Sequence, residues 1–427
     1  MAIRSFLATH DLIAVSANNK ETAINTEQAL DTTMLCALGD IINVTPRRES
    51  NENEMTGKEE PDTIYDLGAT VDASFNFEKG QPQHFAFLTA YALGSIATAA
   101  AGTGYQHTIT PISGDIDSNR SLPSFTAAQR YGKTVMKRRF ASMFVDSVSA
   151  TFARDSWCKI TGAIKGTGKV TTNTVQESIT ALGTVTTLTL AANGVQGSTA
   201  DERLQNVQQI IVDLAGTGVW TEVAYSAVSA ATPAAITITA PGGAVSMTYK
   251  VLYMPTETGW MSFPARVNET PLRVAQMTVN VGGKWGGSSF TGGRAVSSEI
   301  KSIEWTLNNN LDIQFALGAS GAYASRAMRQ GRKQKIKLDK DFKEYILQMH
   351  IDNNDTFGIY ILAEGALYDG SNKYQVEIIF PKVGVIASPV SPDGNRLSES
   401  GDLQVLEDDT YGSVVVKVKN LTATYMV

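Results

Sequence analysis

The chain is poor in the residue types that most directly announce chemistry. Its 427 residues include two cysteines and four histidines. Cys36 and Cys158 have no metal-motif spacing and are expected to be reduced, packed thiols. His10, His84, His107 and His350 are scattered, none lies in an HExxH pattern, and no GxSxG elbow is present. Charged residues make up 18% of the chain and the net charge is −6, which argues against a surface built to grip phosphates with clustered lysine and arginine. Long hydrophobic runs are missing as well. The most apolar, residues 90–101, is too short and too rich in alanine to span a bilayer. Met1 to Ser5 runs on to His10 and Asp11 before any signal-peptide core forms, so the expectation is folding in the cytoplasm without a membrane.

What the chain does have is alternation. Residues 139–168 read as a strand, a turn and a strand. Ser147, Ser149 and Thr151 alternate with Val148, Ala150 and Phe152, Arg154-Asp155 supplies the turn, and Ile160 and Ile164 resume the pattern. A second stretch, 300–321, repeats it: Ser302, Glu304 and Thr306 alternate with Ile303, Trp305 and Leu307, Asn308 to Asn310 form the turn, and Leu311, Ile313 and Phe315 resume. Such alternation buries one face of a sheet and leaves the other to water or a partner. At about 3.3 Å per residue, a strand over 140–152 reaches roughly 40 Å, which suits a barrel wall. The wet face would carry Ser147, Ser149, Thr151, Ser302, Glu304, Thr306, Asp312 and Gln314, with almost no positive charge.

In chain order, residues 25–38 read as a short helix capped at Thr26, and 39–44 as a strand. Residues 45–63, with Arg47, Arg48, Glu52, Glu54, Glu59 and Glu60, are too polar to fold alone and read as an exposed arm, either a mobile loop or one that orders on a neighbouring subunit. A strand over 67–77 leads through Gly80 and Pro82 into a helix over 83–91 that packs on one side of a sheet and ends at Gly94. Asp115, Asp117 and Asn119 resemble a calcium loop, but Arg120 stands where glycine is needed and no closing glutamate follows. Gly162 to Lys169 resembles a phosphate loop with the wrong glycine spacing, and Val170 stands where Ser or Thr must bind magnesium. Lys137-Arg138-Arg139 is the densest basic spot, read as an intersubunit ion-pair partner or an edge guard.

From Val170 the composition shifts to Thr, Ser, Ala and Gly. Five short strands, near 184–191, 208–214, 220–226, 235–240 and 247–254, predict an inserted β-sandwich over 170–262, interrupting a first half, 1–169, and a second, 263–427. A capping box, Thr199 to Glu202, predicts one short helix inside it. In the second half, 272–281 reads as a strand, 282–293 as a glycine-rich loop carrying Trp285, and 331–338 as a basic strand running into a helix over 340–350. That strand-to-helix step echoes 67–91. The fold class is mainly β with a few short helices. No paired carboxylates sit in a setting able to shift a pKa, so no enzyme and no cofactor is expected.

With these elements in place the chain resembles the major tail tube proteins of long-tailed, siphovirus-type bacteriophages. The residues that carry the likeness are Leu122-Pro123-Ser124-Phe125-Thr126, the run from Ser302-Ile303 through Thr306-Leu307 to Asn308-Asn309-Asn310-Leu311, and Phe380-Pro381-Lys382-Val383. They span about 23–169 and 296–427 and leave the insert outside. The resemblance implies a tail-tube-type subunit whose long hairpins join an oligomeric β-barrel, often with an immunoglobulin-like domain decorating the outside. It implies stacked rings of self-association, other tail proteins (tape measure, tail tip and terminator) as partners, double-stranded DNA passing without specific binding, and a place in the virion tail after assembly in the bacterial cytoplasm. Ring contacts would fall to Arg47, Arg48, Glu52, Glu54, Glu59, Glu60, Lys137, Arg138 and Trp285. If each chain holds two copies of the barrel unit, three chains close a pseudo-sixfold ring; otherwise six chains do. The rival class is a secreted adhesin or carbohydrate-binding β-protein, which would need an export signal.

Overall fold

Alternation predicts strands, and strands dominate: the computed structural model, which describes residues 7–114, 120–131, 137–214, 216–256, 263–316 and 321–427, is mainly β with short helices and several sheets, none of them closed into a barrel. The chain divides into two units. One draws on Met1–Ile13, Ala128–Arg139 and Val170–Phe263, the other on Ala14–Ala127, Phe140–Lys169 and Pro264–Val427.

The larger unit is built from one element series that occurs twice. The first series is Asn43–Ser50 (β1), Ile64–Phe77 (β2), Pro82–Leu93 (α1), Gly94–Ala101 (β3), Gly104–Pro111 (β4), Lys137–Ala153 (β5) and Lys159–Gly166 (β6). The second is Ile300–Asn308 (β7), Lys333–Asp341 (β8), Ile346–Asn353 (α2), Phe357–Leu367 (β9), Lys373–Ala387 (β10), Val390–Asp393 (β11) and Arg396–Val405 (β12). The antiparallel pairs β1–β2, β2–β6 and β6–β5 lay out the first series. The pairs β7–β8 and β8–β12, with β12 pairing the end of β10 and then β11, lay out the second in the same order. Pairing of β5 with β7 joins them into one continuous sheet.

Three local features fix the equivalence. Pairs Ala73–Ile164, Phe75–Gly162 and Phe77–Ile160 match Ile336–Leu403, Leu338–Gly401 and Lys340–Glu399. The β5–β6 ladder slips one residue between Val145 and Ser147, and the β10–β12 ladder slips between Val385 and Ala387, so both series carry a bulge at the same place. Each series also puts a glycine beneath a helix: a Cβ on Gly162 would stand 2.7 Å from Leu88 Cδ2, and one on Gly401 would stand 2.8 Å from Leu347 Cδ1. A side chain at either position would push the helix off its sheet.

A second sheet runs from β3 through β4, Val415–Asn420, β10, β9 and Met277–Trp285 to Phe290–Ala295. Strand β10 serves both sheets, pairing Val415–Asn420 through Gln375 to Ile379 and β12 through Val383 to Ala387. Helix α1 packs on β3, β4, β6 and β10, and all twelve of its residues are buried. The expectation that it covers one side of a sheet is therefore corrected. Phe85, Phe87, Leu88, Tyr91 and Leu93 make it apolar all round, as a core helix must be. A reciprocal cap between Gln81 and His84 starts it, and Gly94, at φ 91°, ends it.

The smaller unit contains a sandwich. A four-stranded sheet, ordered Val175–Leu182, Ser246–Tyr253, Val207–Asp213, Trp220–Glu222, faces a three-stranded one of Thr187–Thr189, Ala235–Ile238 and Tyr225–Val228. They share a core in which Leu188, Val228 and Ile236 meet Ile210, Tyr249 and Val251. The expected strand over 220–226 is two strands, one in each sheet, and the alternation of Val175–Leu182 is masked in the sequence by Glu177, which stands in the packed register of Val175, Ile179 and Ala181. Thr199 caps the helix Ala200–Asn206, its hydroxyl accepting the Glu202 N–H at 3.2 Å.

Several expectations are corrected. Residues 25–38 form no helix: Asn25 has φ 64°, the Asp31 carboxylate accepts the N–H groups of Ala17 and Asn18 at 2.9 Å, and Thr32–Met34 is a strand. The arm is ordered. Residues 45–50 belong to β1, and Asn51 ties the far end with a side-chain bond to Asp62 Oδ1 at 2.7 Å and a backbone bond to Thr63. Residues 282–293 are a hairpin, not a loop. The helix expected over 340–350 runs Ile346–Asn353, because β8 continues to Asp341. The second ribbon is not a hairpin either. Its first strand, β7, pairs β8, and its return strand, Leu311–Gln314, pairs Arg326–Arg329 in a separate small sheet. The calcium-like residues 115–119 and the end of the second ribbon, 317–320, lie outside the described residues.

Candidate functional site

Because side chains alternate across a strand, the sheet β1-β2-β6-β5-β7-β8-β12 has one face packed on the core and one that is mostly polar. Phe75, Ile164, Val148, Trp305, Leu338 and Leu403 point to the buried face. Neighbouring positions build rows on the other. Thr151, Glu304, Lys337 and Asp402 lie side by side across β5, β7, β8 and β12, and so do Ser149, Thr306, Lys335 and Gln404. A third row is hydrogen-bonded across three strands: Asp339 accepts from Ser302 Oγ at 2.9 Å and from Ser400 Oγ at 2.6 Å. Ser149 Oγ donates to Glu304 Oε1 at 2.9 Å, and Lys165 pairs with Asp146 at 2.9 Å. A shallow cavity of about 440 Å³ lies over this face, lined by Glu304, Thr306, Lys335, Lys337 and Asp402 and closed on one side by Ile386.

Six of the eight residues expected on the wet face are brought together here: Ser147, Ser149, Thr151, Ser302, Glu304 and Thr306. Asp312 and Gln314 are not, since they sit in the small separate sheet, where Gln314 donates to Asp312 at 2.7 Å. The expected scarcity of positive charge is also corrected. Strand β8 contributes Lys333, Lys335 and Lys337 to this face. Alternation within 333–337 carried that signal, but the pairing of β8 with β7 did not show in the sequence. Lys337 lies between Glu304 and Asp402, so the face alternates in charge.

The residues expected at ring contacts divide. Arg48, Glu52, Glu59 and Glu60 are exposed. The Arg47 guanidinium lies 4.4 Å over the Phe315 ring, and Glu54 accepts from Tyr65 Oη at 2.7 Å. Arg138 is exposed, 5.8 Å from the Tyr131 ring. Lys137 is only 8% exposed, with its ammonium over Phe263. Trp285, 4% exposed, packs edge-on to Tyr411 beneath the Lys417 ammonium. These last two are committed inside the protomer and offer no surface to another chain.

The sheet has two open ends. Among the described residues β1 pairs only β2, and β11 pairs only β12. Apolar side chains stand exposed at both: Ile41, Ile64 and Leu67 near β1, and Ile386, Val390 and Leu397 near β11. An unpaired strand edge presents a row of open backbone N–H and C=O groups to which another strand can add. Within the described residues no group of three or more His, Cys, Asp and Glu is arranged to hold a metal. No protein-family model matches the chain, and no curated protein aligns with it at a significant level.

Proposed function

We propose that the chain is the structural subunit of a phage-type tail tube, associating edge to edge into rings that stack around a passage for double-stranded DNA. The observation that carries this reading is the twofold four-strand series, which presents one polar face and leaves one edge open at each end of its sheet. An edge at β1 and a different edge at β11 make a head-to-tail contact, which closes into a ring when the rotation allows. The tail-tube resemblance implies six copies of the barrel unit per ring, and two copies per chain make that three chains. At about 4.8 Å between strands and a tilt near 40°, three such sheets would enclose a barrel roughly 45 Å across between backbones. Side chains on both walls still leave room for a duplex.

The polar face suits passage better than capture. Lys333, Lys335 and Lys337 are interleaved with Glu304, Asp339 and Asp402, so no continuous basic track matches a phosphate backbone. The inserted unit would decorate the tube, in keeping with the immunoglobulin-like domains of the family it resembles. Negative-stain microscopy and sedimentation of the concentrated protein test the reading: rings or tubes support it, and single globules at every concentration contradict it.

A further inference from the structure

Resting on the tube reading, we infer that the joint between chains copies, residue for residue, the joint the chain already makes between its own two halves. Inside the chain, β5 pairs β7 with Ser147 opposite Asn308, Ser149 opposite Thr306 and Thr151 opposite Glu304. The equivalences set by the shared bulge and the paired glycines map Ser147 to Ala387, Ser149 to Pro389 and Thr151 to Ser391. Strand β7 maps onto β1 through Val44–Val71 and Leu307–Gln334, so that Asn308, Thr306 and Glu304 correspond to Thr45, Asn43 and Ile41. The end of β10 and β11 of one chain therefore pair with β1 of a second copy. Ala387 meets Thr45, Pro389 meets Asn43 and Ser391 meets Ile41.

The exposure of the edge residues points to the same occupant. Val390 is 42% exposed, whereas Ala150, its counterpart inside the chain, lies opposite Trp305 of β7 and is fully buried. Asp146, the bulge residue of β5, is clasped by the loop that follows β7: its carboxylate accepts the Leu311 N–H at 2.7 Å and its carbonyl the Asn309 N–H at 2.8 Å. The equivalent bulge residue of β10 is Ile386, bare at 62%. The stretch of chain between β7 and β8 is matched in the first half by the arm between β1 and β2, whose flanks expose Ile64 and Leu67. An apolar bulge residue thus faces an arm with apolar flanks, and the arm of a second copy is what covers Ile386.

The register is read by disulfide trapping in a Cys36→Ser background. The pair Ile41→Cys with Ser391→Cys should form covalent multimers ending at the closed ring, and Thr151→Cys with Glu304→Cys should cross-link within one chain without changing its size. Thr45→Cys with Ser391→Cys, four positions out of register, should stay at monomer mass. Rings that assemble but trap only the out-of-register pair, or neither pair, overturn the joint and leave the tube reading standing; a protein that never leaves the monomer overturns both. As a second variant, Val390→Asp should raise the concentration for half-assembly at least tenfold while leaving the monomer's melting temperature within 2 °C or so; unchanged assembly would also contradict the joint.

Discussion

Glu269 shows how much a single buried group can set. It lies in the segment that straps the start of α1, accepting the Gln83 N–H at 2.8 Å, while its other oxygen finds no donor. Burial pushes its pKa up to about 7. A carboxyl raised in the folded state contributes stability below its unfolded value, near 4.3, and that contribution is lost as pH rises through about 7. Glu269→Gln keeps the acceptor without the charge. Its stability should match that of the native protein near pH 4 and exceed it by pH 8, with a difference growing to about 3 kcal/mol; parallel pH profiles in thermal melts would contradict this. The two helix-facing glycines give a second expectation. Gly162→Ala should cost about 1–3 kcal/mol in urea unfolding through overpacking against Leu88, and Leu88→Ala should recover part of it, giving a coupled cycle instead of an additive one. The sequence marked Trp285 and Lys137 as contacts because an aromatic in a glycine-rich stretch and a basic triplet look like surface. Neither pattern reveals that a partner strand or ring lies on top.

At the scale of the element, the first hairpin was legible because turn and alternation are both local: Lys137–Ala153 and Lys159–Gly166 follow one another and pair with one another. The second failed for a physical reason. Leu311–Gln314 alternates as well as any strand, but the choice between β7 and Arg326–Arg329 as its partner is made by tertiary packing, where Leu311 joins Leu122, Phe144 and Ala327. The basic strand and its following helix echo 67–91, and that echo is the repeat; the likeness of 139–168 to 300–321 comes from β5 and β7, two strands that are neighbours and not equivalents. The polar face yields its own expectation. Replacing Glu304 and Asp402 with lysine would join Lys333, Lys335 and Lys337 into a basic track. The double variant should gain duplex-DNA binding in fluorescence anisotropy at low salt, with log K falling by about 0.9 per phosphate contact for each decade of salt. A variant that binds DNA no better than the native chain would remove this face from the passage.

For the molecule as a whole, the proposed tube rests on one geometric statement: a chain that repeats the same four-strand series, and pairs the halves in one sheet, carries within itself a template for a contact with copies of itself. Strands β5, β6 and β7 each have partners on both sides within the chain, and the edges left open in their sheet are those of β1 and β11. Composition and alternation could indicate the sheet and its wet face, but which strands stand at the ends depends on pairings far apart in sequence. The measurement that tests this most directly is the rotational symmetry of end-on rings in electron-microscope class averages of the assembled protein. The account predicts three chains per ring, with a sixfold-like wall and three copies of the inserted unit. Six chains per ring, or particles that never exceed a single chain, would contradict it.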